Sequence, residues 1–288
     1  MSGPSKDDEH ARPDRGRGEL THVPDGQRDP PADSSLILDE LRALHARLDE
    51  LERRVAPREG TGPGSAAEVI PAWRRPTQGE ARWQATAAVA AAVALQLPLP
   101  GRLVLVHPDW LLPTVQGLLL VALVISNPRR INTESRAIRM LSLALAALLS
   151  LANAWSVARL VVGLVQGTQG SAAGPLLVTG GVIWLTNVIV FALWYWEFDR
   201  GGPVARANAD RKYPDFQFVQ MVSPQLAPPG WEPTFGDYLY LSFTNAAAFS
   251  PTDVMPMSRW AKMGMTAQAA VSILTVALVV ARAVNILR

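Results

Sequence analysis

The chain has 288 residues, 49% of them hydrophobic, with nine tryptophans, no cysteine and a net charge of only +2. Without cysteine there is no disulfide framework and no thiolate metal site, and a charge so near neutral does not point to a nucleic-acid partner. Roughly the first eighty residues are polar and the rest is mostly long apolar runs, which predicts a polar tail on an all-α integral membrane domain.

Residues 1–33 are rich in Asp, Arg, Pro and Gly and carry almost no large apolar side chains. They cannot bury enough surface to offset chain entropy, so a disordered tail is expected. The charged start lacks an apolar core segment, so no secretory signal peptide is expected. From residue 34 to residue 56 the pattern changes. Ile37, Leu41, Leu44, Leu48, Leu51 and Val55 recur at alternating spacings of four and three, a heptad seam with Ser34 or Ser35 available as N-cap and Pro57 as stop. This predicts a short coiled coil that joins subunits; an amphipathic helix resting on protein or lipid fits the same pattern. Residues 57–82 contain Pro, Gly and Arg and read as a linker. Trp73, Arg74, Arg75, Arg82 and Trp83 mark its approach to a bilayer, where aromatic residues favour the interface and Arg the cytoplasmic side.

Five apolar runs follow, at about 84–106, 110–126, 137–165, 175–196 and 262–286. The first is Ala-rich and interrupted by Pro98 and Pro100, so it either spans with the help of Leu103 to Val106 or packs closely inside a bundle. The second has Pro113 in its first turn, where a missing donor costs little. The third carries Asn153 and Arg159. An ionisable residue at membrane depth is a functional candidate, but Arg159 lies near the end of the run, where it can snorkel to the surface. The fourth carries a Gly180-Gly181 close-packing site, Asn187, and an interfacial Trp194-Tyr195-Trp196 belt. In a bundle interior Asn187 is expected to be a hydrogen-bonding strut. At its end Glu197 and Asp199 are candidates to hold a cation or proton, against simple pairing with Arg200 and Arg206.

Residues 201–236 hold six prolines together with Tyr213, Phe216, Phe218, Met221 and Trp231. A connection this long is functional or disordered, and so many apolar anchors predict a packed cap over the segment that follows. That segment, 237–256, is too short to span, since a spanning helix needs roughly 20 apolar residues. It reads as a re-entrant half-helix ending in Ser250-Pro251-Thr252-Asp253.

Tyr238-Leu239-Tyr240-Leu241-Ser242-Phe243-Thr244 resembles the pore helix of tetrameric potassium channels. Asp253-Val254-Met255-Pro256 resembles the segment after their filter, and Val279-Val280-Ala281-Arg282 the end of their inner helix. The resemblance implies a pore loop facing a cation path. The filter itself departs: Ala248-Phe249-Ser250-Pro251-Thr252 stands where those channels carry Thr-Val-Gly-Tyr-Gly. The glycines allow backbone conformations that aim successive carbonyls at the ion. Pro251 fixes φ and removes a donor, so a filter of that kind is not expected. The Ala-Phe-Ser-Pro-Thr-Asp stretch also resembles uncharacterised multispanning membrane proteins of high-GC bacteria, a resemblance that brings no activity with it.

Ser250, Thr252 and Asp253 offer hard oxygen ligands, which in a homo-oligomer would form a ring suited to monovalent or divalent cations. The same four residues are also good turn chemistry, and Asp253 has Arg259 and Lys262 as possible ion-pair partners. No nucleophile–base set, phosphate-binding glycine loop or zinc spacing is visible, and His10, His22, His45 and His107 lie outside the clear apolar runs. Neither an enzyme, a cofactor nor a resident metal is expected. The leading expectation is a channel-like pore-loop protein, ahead of a non-conducting scaffold and a small-solute transporter. Basic residues cluster before the first run, after the second and fourth, and before the last. That places the N-terminus and the re-entrant segment at the cytoplasmic face of the cell membrane, with five spans. Potassium channels carry their loop on the outer face, so charge and resemblance disagree.

Overall fold

The computed structural model describes residues 32–55, 70–126, 130–131, 136–168, 172–248 and 253–287. The chain is predominantly helical and divides into two compact units, Met1–Ala67 and Glu68–Arg288. In the first unit the described element is α1, Ala32–Val55. Ser34 and Ser35 lie inside its first turn rather than capping it. Leu41, Leu44, Leu48 and Leu51 of the expected seam are all about half exposed, at 47 to 56%. Side chains of Ile37 and Val55, the tail 1–31 and Pro57 fall outside the described residues.

The second unit begins inside the stretch read as a linker. A single turn at Ala72–Arg74 and strand β1, Glu80–Ala81, precede α2, Trp83–Ala94. Strand β1 pairs antiparallel with β2, Arg130–Ile131, which follows α3, Leu111–Ser126. The long helices are α4, Arg136–Val165, α5, Ala173–Phe198, and α9, Arg259–Leu287. Between α5 and α9 lie α6, Pro203–Ala207, β3, Phe216–Phe218, α7, Val219–Val222, α8, Phe235–Ala248, and β4, Val254–Pro256.

Among the described residues three helices are long and apolar enough to cross a membrane: Arg136–Val165, Ala173–Gly201 and Arg259–Leu287. The other two apolar helices, α2 and α3, are shorter. The first run is therefore not the single helix of 84–106. Its helix stops after Ala94, because Pro98 and Pro100 can neither donate to a helical ladder nor let their predecessors stay helical. The remainder is an irregular leg with a turn at Gly101–Leu103. Its carbonyls are taken up by α4: Ser156 Oγ donates to Leu103 at 2.9 Å, Trp155 Nε1 to Val104 at 3.1 Å and Arg159 Nε to Arg102 at 3.2 Å. Irregular backbone among apolar helices survives when its polar groups are met in this way.

Helix α5 is the centre of the bundle and packs against α4, α8 and α9. Its approach to α9 is close at Gly180, where an added Cβ would stand 2.8 Å from the Val279 methyls; at Gly181 there is open space. Toward the other end of the contact, Gly264 of α9 lies under the Tyr195 ring.

Helix α8 is held between α5 and α9 and runs antiparallel to α5. Phe235 at its start rests on Trp196, Ser242 bonds to Val188 and Phe243 meets Trp184, so it runs back along α5. The chain then returns to the end it came from. In the register Phe216↔Pro256, Gln217↔Met255 and Phe218↔Val254, β4 pairs with β3, and Phe218 lies against Tyr238 in the first turn of α8. The segment 201–236 supplies this clamp: Phe216, Phe218 and Met221 are buried and Trp231 is half-buried against the core, while Tyr213 is exposed. Burying each such aromatic side chain contributes about 1.5–3 kcal/mol.

Candidate functional site

The end of α5 is turned by a short left-handed stretch. Arg200 has φ 52° and Gly201 and Gly202 have φ 87° and 102°, values that glycine adopts without strain and arginine does not. At Gly202 an added Cβ would stand 3.0 Å from the Glu197 carbonyl. Pro203, with φ already suited to a helix start, then opens α6.

This turn folds charge inward, and around it forms a buried cluster. Asp199 Oδ1 accepts the backbone N–H of Asp215 at 2.7 Å and of Phe216 at 3.2 Å, and its Oδ2 accepts the Tyr238 hydroxyl at 2.6 Å. Arg206 Nη1 donates to the carbonyls of Trp196 at 2.6 Å and Asp199 at 3.0 Å, and its Nη2 lies 3.6 Å from Glu80 Oε2. Glu80 also accepts Trp196 Nε1 at 2.7 Å and the backbone N–H of Phe235. Arg200 Nη1 donates to the Trp73 carbonyl at 2.6 Å. Its own backbone N–H goes to Asp215, whose other oxygen accepts Trp260 Nε1 at 2.7 Å.

Burial pushes the Glu80 carboxyl up, against the opposing pull of Arg206, Trp196 and Phe235. Burial works against the charge of Arg206, but Tyr238, Asp199, Glu80 and Glu197 more than offset it and hold its pKa above the usual value. Burial lowers Arg82, which Glu197 partly restores. The cluster thus ties the 73–80 stretch, the end of α5, the start of α8 and the start of α9 into one knot.

A second polar set runs inside the α5–α8–α9 unit. Gln268, fully buried in α9, uses all of its amide. Its Oε1 accepts Tyr195 at 2.7 Å and Asn245 Nδ2 at 2.8 Å, and its Nε2 donates to the Ser242 carbonyl at 2.9 Å and hydroxyl at 2.6 Å. One turn on, Asn187 Nδ2 donates to Ser272 Oγ at 3.1 Å, and Asn153 reaches Asn187 at 3.5 Å. Asn187 is thus the interior strut that its place in an apolar run implies.

Of the four residues expected to line a constriction, Ser250, Pro251 and Thr252 lie outside the described residues. Asp253 is half-buried at the head of the return limb, beside the Tyr240 phenol. Among the described residues it makes no ion pair with Arg259 or Lys262. Asp199 does not stand as a cation ligand: its oxygens are taken by two backbone N–H groups and a phenol. Glu197 is buried and faces the charges of Arg82 and Arg206. Among the described residues no group of three or more His, Asp or Glu is placed to hold a metal. Arg159 is exposed, against Trp155 and the Arg102 carbonyl.

Sequence reasoning missed Gln268, Asn245 and Glu80. Gln268 had a signal, since Gln268, Ser272 and Thr275 fall on one face of an apolar helix. Glu80 had none: its partners are more than a hundred positions away.

Comparison of the chain with protein-family models, with curated proteins and with solved structures finds no match.

Proposed function

We propose that the chain is a multi-pass integral membrane protein of the cell membrane whose α5–α8–α9 unit is a pore-loop module for cations, acting in a homo-oligomer. One observation carries this reading: a half-helix inserted between two long apolar helices, with its entry and exit clamped at the same end by β3 and β4. That arrangement leaves Asp253, at the head of the limb that follows α8, as a described group available to an ion. The exposed leucine seam of α1 supports assembly through the N-terminal helix. Basic residues before the first apolar run, after the second and fourth and before the last support a cytoplasmic N-terminus and loop entrance.

Cation flux through the purified protein in liposomes tests the reading. Flux in the wild type, with rate or selectivity altered in Asp253→Ala, supports it; absence of flux from a correctly assembled protein under every driving cation contradicts it. Deleting residues 1–56 is expected to weaken the oligomer, measured by sedimentation in detergent. A second reading, a non-conducting scaffold, draws on the saturated contacts of Gln268, Ser242 and Asn245, which seal the half-helix against its own chain. Assembly without flux would favour it.

A further inference from the structure

At the end of the bundle that carries the two β-ribbons, a crevice of about 80 Å³ opens between α2, α3, α4 and α5. Its walls are apolar, formed by Val89, Leu120, Leu123, Ile138, Leu145 and Leu193. Its rim is charged: Arg82 precedes the first residue of α2, Arg139 stands in the first turns of α4, and Glu197 closes the other side at the end of α5. Two guanidinium groups against one carboxylate leave the rim positive. Arg139 is positioned from below by its bond to the Gly201 carbonyl at 2.7 Å, and so by the same turn that organises the charged knot.

A crevice that is apolar in depth and cationic at the rim matches a molecule with an anionic head and a hydrocarbon tail. Guanidinium binds phosphate oxygens through paired donors, and basic pockets between helices on the cytoplasmic side suit anionic headgroups. The position agrees. On the membrane reading, this end of the bundle bears most of the basic residues and meets the cytoplasmic leaflet, where anionic lipid is found. We propose that this crevice is a binding site for an anionic phospholipid, with the phosphate on Arg82 and Arg139 and the end of an acyl chain among the leucines. The volume admits a few methylenes, so the rest of the tail stays in the bilayer. A lipid here would bridge the start of α2 to the end of α5 and brace the knot that holds the foot of α8.

The proposal rests on the membrane reading, and the two fail differently. A wild type that leaves the membrane fraction on alkaline washing breaks the membrane reading. The test of the site is thermal unfolding of the full chain in nanodiscs of phosphatidylcholine with increasing phosphatidylglycerol. A ligand that binds only the folded state raises Tm with its concentration, so Tm is expected to climb with phosphatidylglycerol. In Thr86→Trp and Ser142→Leu, which place bulk in the crevice, that climb is expected to vanish while Tm in pure phosphatidylcholine is kept; Arg139→Gln should reduce it. Equal Tm in the two lipids for the wild type, or an undiminished climb in both filled variants, overturns the proposal. So does glycerol phosphate alone reproducing the full shift, because the site would then read a soluble anion rather than a lipid.

Discussion

The foot and the return limb of α8 are built on opposite terms. At the foot, Asp199, Arg206 and Tyr238 are buried and interlocked with the largely buried Glu80, and backbone from three separate stretches converges on these side chains. Beyond it, Asp253 is half-buried beside the Tyr240 phenol, and Ala247 and Ala248 at the end of α8 are exposed. Buried charge is tolerated only when paired and bonded, so the foot has one arrangement and resists change. Among the described residues Asp253 carries no such set of bonds, although β4 beyond it is paired with β3 and Val254 is buried. On the proposed pore-loop reading, function is expected to reside at Asp253 rather than at the foot.

The sharpest way to break the contrast is Arg206→Ala, which leaves Glu80 and Asp199 buried without their cation. A loss of about 3–5 kcal/mol is expected, read as a large fall in Tm or failure to fold in detergent. Gln268→Ala strips partners from Tyr195, Asn245 and Ser242 together, and a cost of about 1–3 kcal/mol is expected by the same measurement. Gly180→Ala forces a methyl into stiff Val279 and should cost about 1–3 kcal/mol, with the α5–α9 contact loosened. Glu80→Gln sharpens the comparison through pH. Because burial raises the Glu80 carboxyl, its contribution is fully present below the ordinary carboxylate pKa and is lost as pH rises through the raised value. The stability of the wild type relative to Glu80→Gln should therefore fall from about pH 4 upward, followed by unfolding at a series of pH values. Asp253→Asn should change stability by no more than about 0.5 kcal/mol; its effect belongs to flux. Should it unfold the protein as Arg206→Ala does, the return limb is as constrained as the foot and the comparison fails.

The long helices were legible because their apolar runs exceed the length at which periodicity and hydropathy become decisive, and α8 was legible as a separate short helix because its run falls below that length. The break in the first run was half-visible: Pro98 and Pro100 marked it, but the capture of its carbonyls by Ser156 and Trp155 depends on the fold. Glu197 and Asp199 stood out as candidates to hold a cation or proton, yet the donors that occupy Asp199 come from Asp215, Phe216 and Tyr238, which no local pattern announces. The knot was hidden for the same reason. Glu80 sat in a stretch that composition marks as a linker, and only the return of Phe235 and Arg206 to its carboxylate gives it a role.

The central claim is that α8 enters and leaves on one side while α9 crosses to the other, and the absence of cysteine makes it directly testable. Tyr213→Cys, Met257→Cys and Asn285→Cys place single thiols at exposed positions before α8, after α8 and at the end of α9. Labelling in intact cells with a membrane-impermeant reagent should leave the first two unmodified until the membrane is permeabilised, and should modify the third from outside. Labelling of Tyr213→Cys and Met257→Cys from opposite sides, or of Met257→Cys and Asn285→Cys from the same side, would contradict the account.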